Sequence, residues 1–375
     1  KETSLNTEKT LIYPNLKNIY NFKNLEIKKT IFLNNEIKVD YENFNQLKNN
    51  IFHMEEKIKF ENSNIKIKNK NDTILNFKKI NFSNYGYKKN KINGEVFEKK
   101  FEVKSLNNFK KINFKLLDVG ILVSINIIEN NQASKIDGNF KAKLLKSNLK
   151  SDFSFGETSI NFSNLVFRDK NLSFDSSGFL NLKPYVSVNF DTKILDLNRK
   201  LFNTIDLKSI FKHKEILKRI NSNSTFSYNS KRFSINLLES LIIKTNLAYG
   251  RLNFIKQFSI SNSNFQCLGD VNLLDDYPVV DFDCSVISED KRKLFKKFDV
   301  DYKIKNEKFN LKIKGNLNVL NNKINFDHIK LNNNYNIPED DLKFLKKSFE
   351  DIIFNKDFLN IFDLSKVSKF LNEIS

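Results

Sequence analysis

Strict two-residue alternation constrains this chain more than any other feature. In the stretch GFLNLKPYVSVNFDTKILDLNRKL, Gly178 to Leu201, Leu180 and Leu182 alternate with polar residues and a Lys183-Pro184 corner follows. Val186, Val188 and Phe190 then alternate with Ser187 and Asn189. A period of two gives a strand one apolar and one wet face. The plan recurs further on. Gly269, Val271 and Leu273 precede a turn at Asp275–Pro278, and Val280, Phe282 and Cys284 follow it. Asp196 and Asp290 hold the same place after Pro184 and Pro278, as do Leu201 and Phe295. One hairpin unit is thus used twice, each copy leading into a basic amphipathic segment.

The same alternation runs through most of the chain. Residues 1–24 read as polar and irregular. Strand signals start at Leu25 and continue to about 335, the span read as a body of repeated hairpins. Ile58/Phe60 and Ile65/Ile67 flank Asn62-Ser63-Asn64, which predicts a hairpin turn. A phase slip at Lys78-Lys79 predicts a bulge. NFKKINF occurs at 76–82 and 108–114, and INFSN at 80–84 and 160–164, both at strand positions, which favours a repeat architecture. Ile121, Val123, Ile125 and Ile127 form the most apolar alternation of all.

Two segments break the period. Over 199–221 the apolar residues fall at helical spacing opposite Lys208, Lys212, Lys214, Lys218 and Arg219, predicting an amphipathic helix inside the β body. Over 336–375, Pro338 and the acids Glu339, Asp340 and Asp341 open a helix, and a second helix is predicted through Val367, Phe370 and Leu371. These helices are placed as a cap on the last strands, whose free edge would otherwise invite pairing. The fold class is mainly β: a long, curled antiparallel sheet of repeated hairpins with an internal helix and a C-terminal helical cap.

Catalytic and metal motifs are missing from the sequence. His53, His213 and His328 have no second His or Cys at ligand spacing. No phosphate loop, nucleophile elbow or dinucleotide fingerprint is present. Asp275-Asp276 and Asp340-Asp341 read as turn and helix-start residues. The expectation is a non-enzymatic protein without a cofactor. The net charge of +19 comes from lysines spread along wet faces and turns, with the 37 phenylalanines mainly on the opposite faces. Nucleic-acid binding wants charge on one face with exposed aromatics interleaved, so the next reading after a solvated face is attraction to an anionic membrane surface. Cys267 and Cys284 lie on the two strands of the second hairpin. They are either small buried hydrophobes or a cross-strand disulfide; a two-residue loop at Asp275-Asp276 puts the sulfurs opposite, and a four-residue loop through Pro278 offsets them.

The pattern G-x-L-x-L-x-P, alternating apolar residues, then L-D-L-x-x-x-L resembles the AsmA family of bacterial envelope proteins. Gly178, Leu180, Leu182, Pro184, Val186, Val188, Phe190, Leu195, Asp196, Leu197 and Leu201 carry it, and the copy at 269–295 matches more loosely. The resemblance implies a periplasmic body folded as a β-groove with an apolar interior, anchored to the inner membrane by an N-terminal helix that this chain does not contain. It also implies movement of phospholipid between inner and outer membranes, support of outer-membrane assembly, and envelope partners at the groove ends. The competing expectation is a structural envelope protein with a filled core.

The physics of such a groove is simple. About 20 strands at ~4.8 Å extend roughly 95 Å, well beyond the ~30 Å hydrocarbon core of one bilayer. A dry lining needs no special residues, since each buried CH₂ of an acyl chain contributes about 0.8 kcal/mol. The expected lining comprises Ile121, Val123, Ile125, Ile127, Val186, Val188, Phe190, Val280 and Phe282, with phospholipid acyl chains as the partner.

Overall fold

The computed structural model describes residues 4–16, 26–40, 56–69, 72–87, 89–106, 110–129, 135–156, 158–182, 186–198, 218, 220–230, 237–303, 307–332, 335–354 and 363–374. The protein is mainly β, with 21 strands among the described residues. It divides into two compact units, residues 1–150 and 151–375, a boundary the sequence does not mark.

The first unit contains β1 (Ser4–Pro14), β2 (Ile27–Asp40), β3 (Ile58–Asn69), β4 (Asp72–Ser83), β5 (Lys91–Val96), β6 (Lys99–Leu106), β7 (Lys111–Leu116), β8 (Ile121–Glu129) and β9 (Ile136–Leu144). Each pairs with its neighbour in sequence. All these pairs are antiparallel except β2–β3, which is parallel. The N-terminal segment expected to be irregular therefore contributes a full strand: Ser4 to Pro14 lie along β2 from Lys38 to Ile27. Its polar sequence hid it, because a strand packed on one side only leaves most of its residues exposed.

The predicted hairpin turn at Asn62–Asn64 is a bulge within β3. The register shifts at Phe60/Ser63 and again at Ser63/Ile65. Asn34 and Asn62 both adopt left-handed backbone, at φ 51° each. The Asn62 side-chain amide donates to Asn34 Oδ1 at 2.9 Å, and Asn35 Nδ2 donates to Ser63 Oγ at 2.8 Å in a buried bond. Asparagine tolerates αL backbone in a bulge as readily as in a turn, so the same residues serve either structure. The slip at Lys78-Lys79 is a bulge, with Lys79 at φ 53° and a register shift before Asn81.

β10 (Ser147–Phe155) spans the unit boundary. The second unit continues with β11 (Ser159–Arg168), β12 (Leu172–Asn181), β13 (Val186–Leu197), β14 (Ile220–Asn229), β15 (Ser240–Ala248), β16 (Arg251–Ile260), β17 (Ser263–Asn272), β18 (Val279–Ser288), the short helix α1 (Lys291–Lys296), β19 (Phe309–Asn318), β20 (Lys323–Leu331), β21 (Tyr335–Asn336), α2 (Glu339–Ile352) and α3 (Leu364–Ile374). From β11 to β21 each strand pairs with the next, antiparallel except for β13–β14. A parallel pair needs a connection that returns along the strand length, and the break in period at 199–221 falls between these two strands. That predicted helix lies outside the described residues, apart from Lys218 and its last two positions: Ile220 and Asn221 are strand. The Lys183-Pro184 corner also lies outside them.

After the second hairpin the basic segment is a helix. Asp290 caps α1, its carboxylate accepting from the Arg292 and Lys293 amides at 3.1 and 3.3 Å. The C-terminal helices close the last strands in two ways. Ile352, Ile353 and Phe354 form a buried cluster with Leu317 and Ile324. Glu350 accepts the Ile324 backbone N–H at 3.0 Å and the Lys323 ammonium at 2.8 Å, so an otherwise free N–H of β20 is satisfied by a side chain.

Candidate functional site

Partners in a strand pair share a face, so registers that join strand to strand define rows across the sheet. In the second unit one row runs Ile160, Leu180, Val188, Ser222, Leu247, Leu252, Val271, Val280, Leu317, Ile324, crossing ten strands. All but Ser222 are apolar. The next row runs Phe162, Gly178, Phe190, Ser224, Thr245, Phe254, Gly269, Phe282, Gly315, Phe326; its Phe190–Ser224 step is closed by the Phe190 amide donating to Ser224 Oγ at 3.2 Å. Large rings alternate with small residues, and the glycines explain themselves. The Phe162 and Phe190 rings stack across Gly178 with centroids 5.9 Å apart. The Phe254 ring covers the place where a Cβ on Gly269 would stand, and Phe282 reaches over Gly315. A glycine in a strand loses backbone entropy and packing; a neighbouring ring laid over it restores the packing.

Val186, Val188 and Phe190 are half-buried on this apolar face, as the alternation implies. Val280 and Phe282 share the face, but they pack against the cluster that the C-terminal helices close. Along β15 to β18 burial alternates almost strictly between half-buried and exposed. Ile121, Val123, Ile125 and Ile127 sit in the first unit, half-buried, opposite Leu144, Ala142, Phe140 and Gly138 of β9. There they extend an apolar face through Phe114 and Ile112 of β7 to Val103 of β6.

The third row of the second unit carries the chemistry. Ile243, Lys256, Cys267, Cys284 and Ile313 follow one another across five strands. Cys267 and Cys284 face each other directly and form a disulfide, Cα–Cα 4.1 Å. The facing register is that of a two-residue loop, although β17 stops at Asn272 and β18 starts only at Val279. Lys256 is a lysine on the apolar face, with its ammonium 4.8 Å from the centre of the Phe258 ring. Burial pushes its pKa below the usual lysine value. Sequence alternation places it on that face, but a single lysine in so basic a chain gives no signal by itself.

The opposite face is wet and equally regular. Asn223, Asn246, Asn253, Asp270, Asp281, Asn316 and Asn325 form one row, with Asn325 Nδ2 donating to Asn316 Oδ1 at 3.2 Å. Asp270 and Asp281 are directly opposite, and the Arg251 guanidinium offsets that repulsion by a forked bond to Asp270 at 2.7 to 3.0 Å. Around them a shallow depression of about 760 Å³ is lined mainly by wet-face side chains, among them Lys244, Ile255, Leu268, Asp283 and Lys314. Among the described residues no three His, Cys, Asp or Glu are grouped to hold a metal ion, and no helix is long and apolar enough to cross a membrane.

No family model, curated protein or solved structure matches this chain.

Proposed function

We propose that this chain is an AsmA-like envelope protein whose apolar sheet face binds phospholipid acyl chains and passes them between membranes, with its body in the periplasm. The observation that carries the reading is the row across ten strands of the second unit, apolar at every place but Ser222 and only half-buried for most of its length. A sheet face of that extent needs an apolar partner. Acyl chains supply one without demanding any particular residue, since the gain is proportional to area removed from water.

The test is native mass spectrometry of gently extracted protein, comparing wild type with Val188→Asp and Ile125→Asp, and with wet-face controls Asn189→Asp and Ser124→Asp. The apolar-face variants are expected to lose co-purifying lipid and the controls to keep it. Equal tolerance on both faces, or a wild type carrying no lipid, would sink the proposal. The second reading, a structural β protein with a filled core, has one observation in its favour: Val280 and Phe282 are covered by the chain's own C-terminal cluster.

A further inference from the structure

In the first unit β5 to β9 alternate in direction, so the turns after β5, β7 and β9 emerge at the same end of the sheet. A large apolar residue stands at each: Phe97, Leu117 and Leu145, at 77%, 55% and 68% exposure. The turns are in lateral register. The Lys100 backbone N–H donates to Asp118 Oδ2 at 2.9 Å, and Leu145 Cδ2 lies 3.5 Å from where a Cβ on Gly120 would stand. At ~4.8 Å per strand the three tips fall in a line about 20 Å long.

Their backbone makes the placement costly. Phe97 and Glu98 have φ of 48° and 62°, and Leu145 has 58°. Left-handed turn positions favour Asn or Gly, and a bulky side chain there is an outlier. Elsewhere in this unit, among the described residues, the left-handed non-glycine positions are Asn34, Asn62 and Asn90, with Lys79 in the β4 bulge. An exposed apolar residue at each of three tips on one edge, two of them on left-handed backbone, points to use rather than packing. Exposed Lys99, Lys100, Lys115, Lys143 and Lys146 flank the tips, against Glu98 and an Asp118 already engaged by backbone.

We propose that this turn edge docks on an anionic lipid bilayer, with Phe97, Leu117 and Leu145 entering the headgroup–acyl boundary and the flanking lysines meeting lipid phosphates. Apolar tips ringed by lysine fit a membrane surface. They do not fit nucleic acid, where the aromatic groups would have to stack on bases. The inference stands apart from lipid carriage by the apolar sheet face: a protein that carries no lipid can dock, and a carrier can lack this edge.

The experiment uses the full chain. It contains no Trp, so Phe97→Trp is a unique reporter. Adding phosphatidylcholine vesicles containing phosphatidylglycerol is expected to shift its emission to the blue and make it quenchable by brominated acyl chains, whereas pure phosphatidylcholine vesicles should give a much weaker response. In flotation with the mixed vesicles, Phe97→Asn/Leu117→Ser/Leu145→Asn is expected to weaken binding about tenfold per tip. Its melting temperature should not fall, because two of the changes relieve left-handed backbone. Unchanged emission of the reporter, wild-type binding by the triple variant, or a response equal in neutral vesicles would overturn the proposal. So would retention by duplex DNA that the triple variant leaves intact while vesicle binding is absent.

Discussion

Gly178 and Gly269 occupy equivalent places in the two hairpin copies, yet replacing them with alanine should have different consequences. At Gly178 a Cβ would come closer than 3.0 Å to the carbonyl oxygen of Asn189 as well as to the Phe190 ring. A carbonyl in a paired strand cannot rotate away, so β13 must shift. At Gly269 the close atoms all belong to the outer end of the Phe254 ring, which can turn about its own torsions. Overpacking that forces backbone movement costs about 1–3 kcal/mol, and loss of the Phe162–Phe190 stack adds about 0.5–1.5 kcal/mol. Gly178→Ala is therefore expected to cost roughly 2–4 kcal/mol. For a unit of this size that is a fall in melting temperature of about 4–16 °C at ~2–4 °C per kcal/mol. Phe190→Leu should not rescue it, because the carbonyl remains. Gly269→Ala should cost about 1 kcal/mol or less and be rescued by Phe254→Leu. Thermal unfolding followed by circular dichroism, arranged as two double-mutant cycles, reads both couplings. If Gly178→Ala is neutral, or if Phe190→Leu rescues it fully, the argument from close approach fails.

Reducing the Cys267–Cys284 disulfide releases a loop of separation 17, and the Cys267→Ala/Cys284→Ala variant should unfold about 3 kcal/mol more easily, as read from denaturation midpoints with and without reductant. Lys256→Met should raise stability near neutral pH. The folded-state pKa of Lys256 lies below its unfolded value, so keeping it charged opposes folding at low pH. That penalty fades as pH rises from the folded pKa toward about 10.5, and the variant's advantage in melting temperature should shrink over the same window. Asp290→Ala should cost about 1 kcal/mol through loss of the α1 cap, while Asp290→Asn, measured by the same melts, should retain most of it.

Much of the β body was legible because period-two alternation states which residues share a face, and Val186, Val188 and Phe190 fall where it puts them. The C-terminal helices were legible from Pro338 and the acids after it. What escaped shares a physical origin: it depends on neighbours distant in sequence. β1 leaves most of its residues exposed, and among the described residues it pairs only with β2, so its polar sequence carries no alternation to mark a strand. The bulge at Asn62 and a turn there call for the same αL residue, and only the register with β2 and β4 separates them. Covering of Val280 and Phe282 by the C-terminal cluster requires knowing where a later segment folds back. The rings over Gly178, Gly269 and Gly315 are visible as pairs only once the registers are known, as is the row that places Lys256 beside the cystine.

Among the described residues each strand pairs with its sequence neighbours alone, and this has a consequence for how such a protein can change its length. Stability becomes close to a sum over hairpins and the seams between them, and no strand is needed to close a distant contact in the sheet. Two antiparallel strands can be gained or lost together: the flanking strands still meet antiparallel, and each apolar face stays on its own side. A single strand cannot, because its loss reverses the direction of everything downstream. In the second unit β15 and β16 form such a removable pair between β14 and β17, and their loss would shorten the sheet by about 10 Å. Length here is adjustable in steps of two strands, a molecular measure that evolution can reset without redesigning a core.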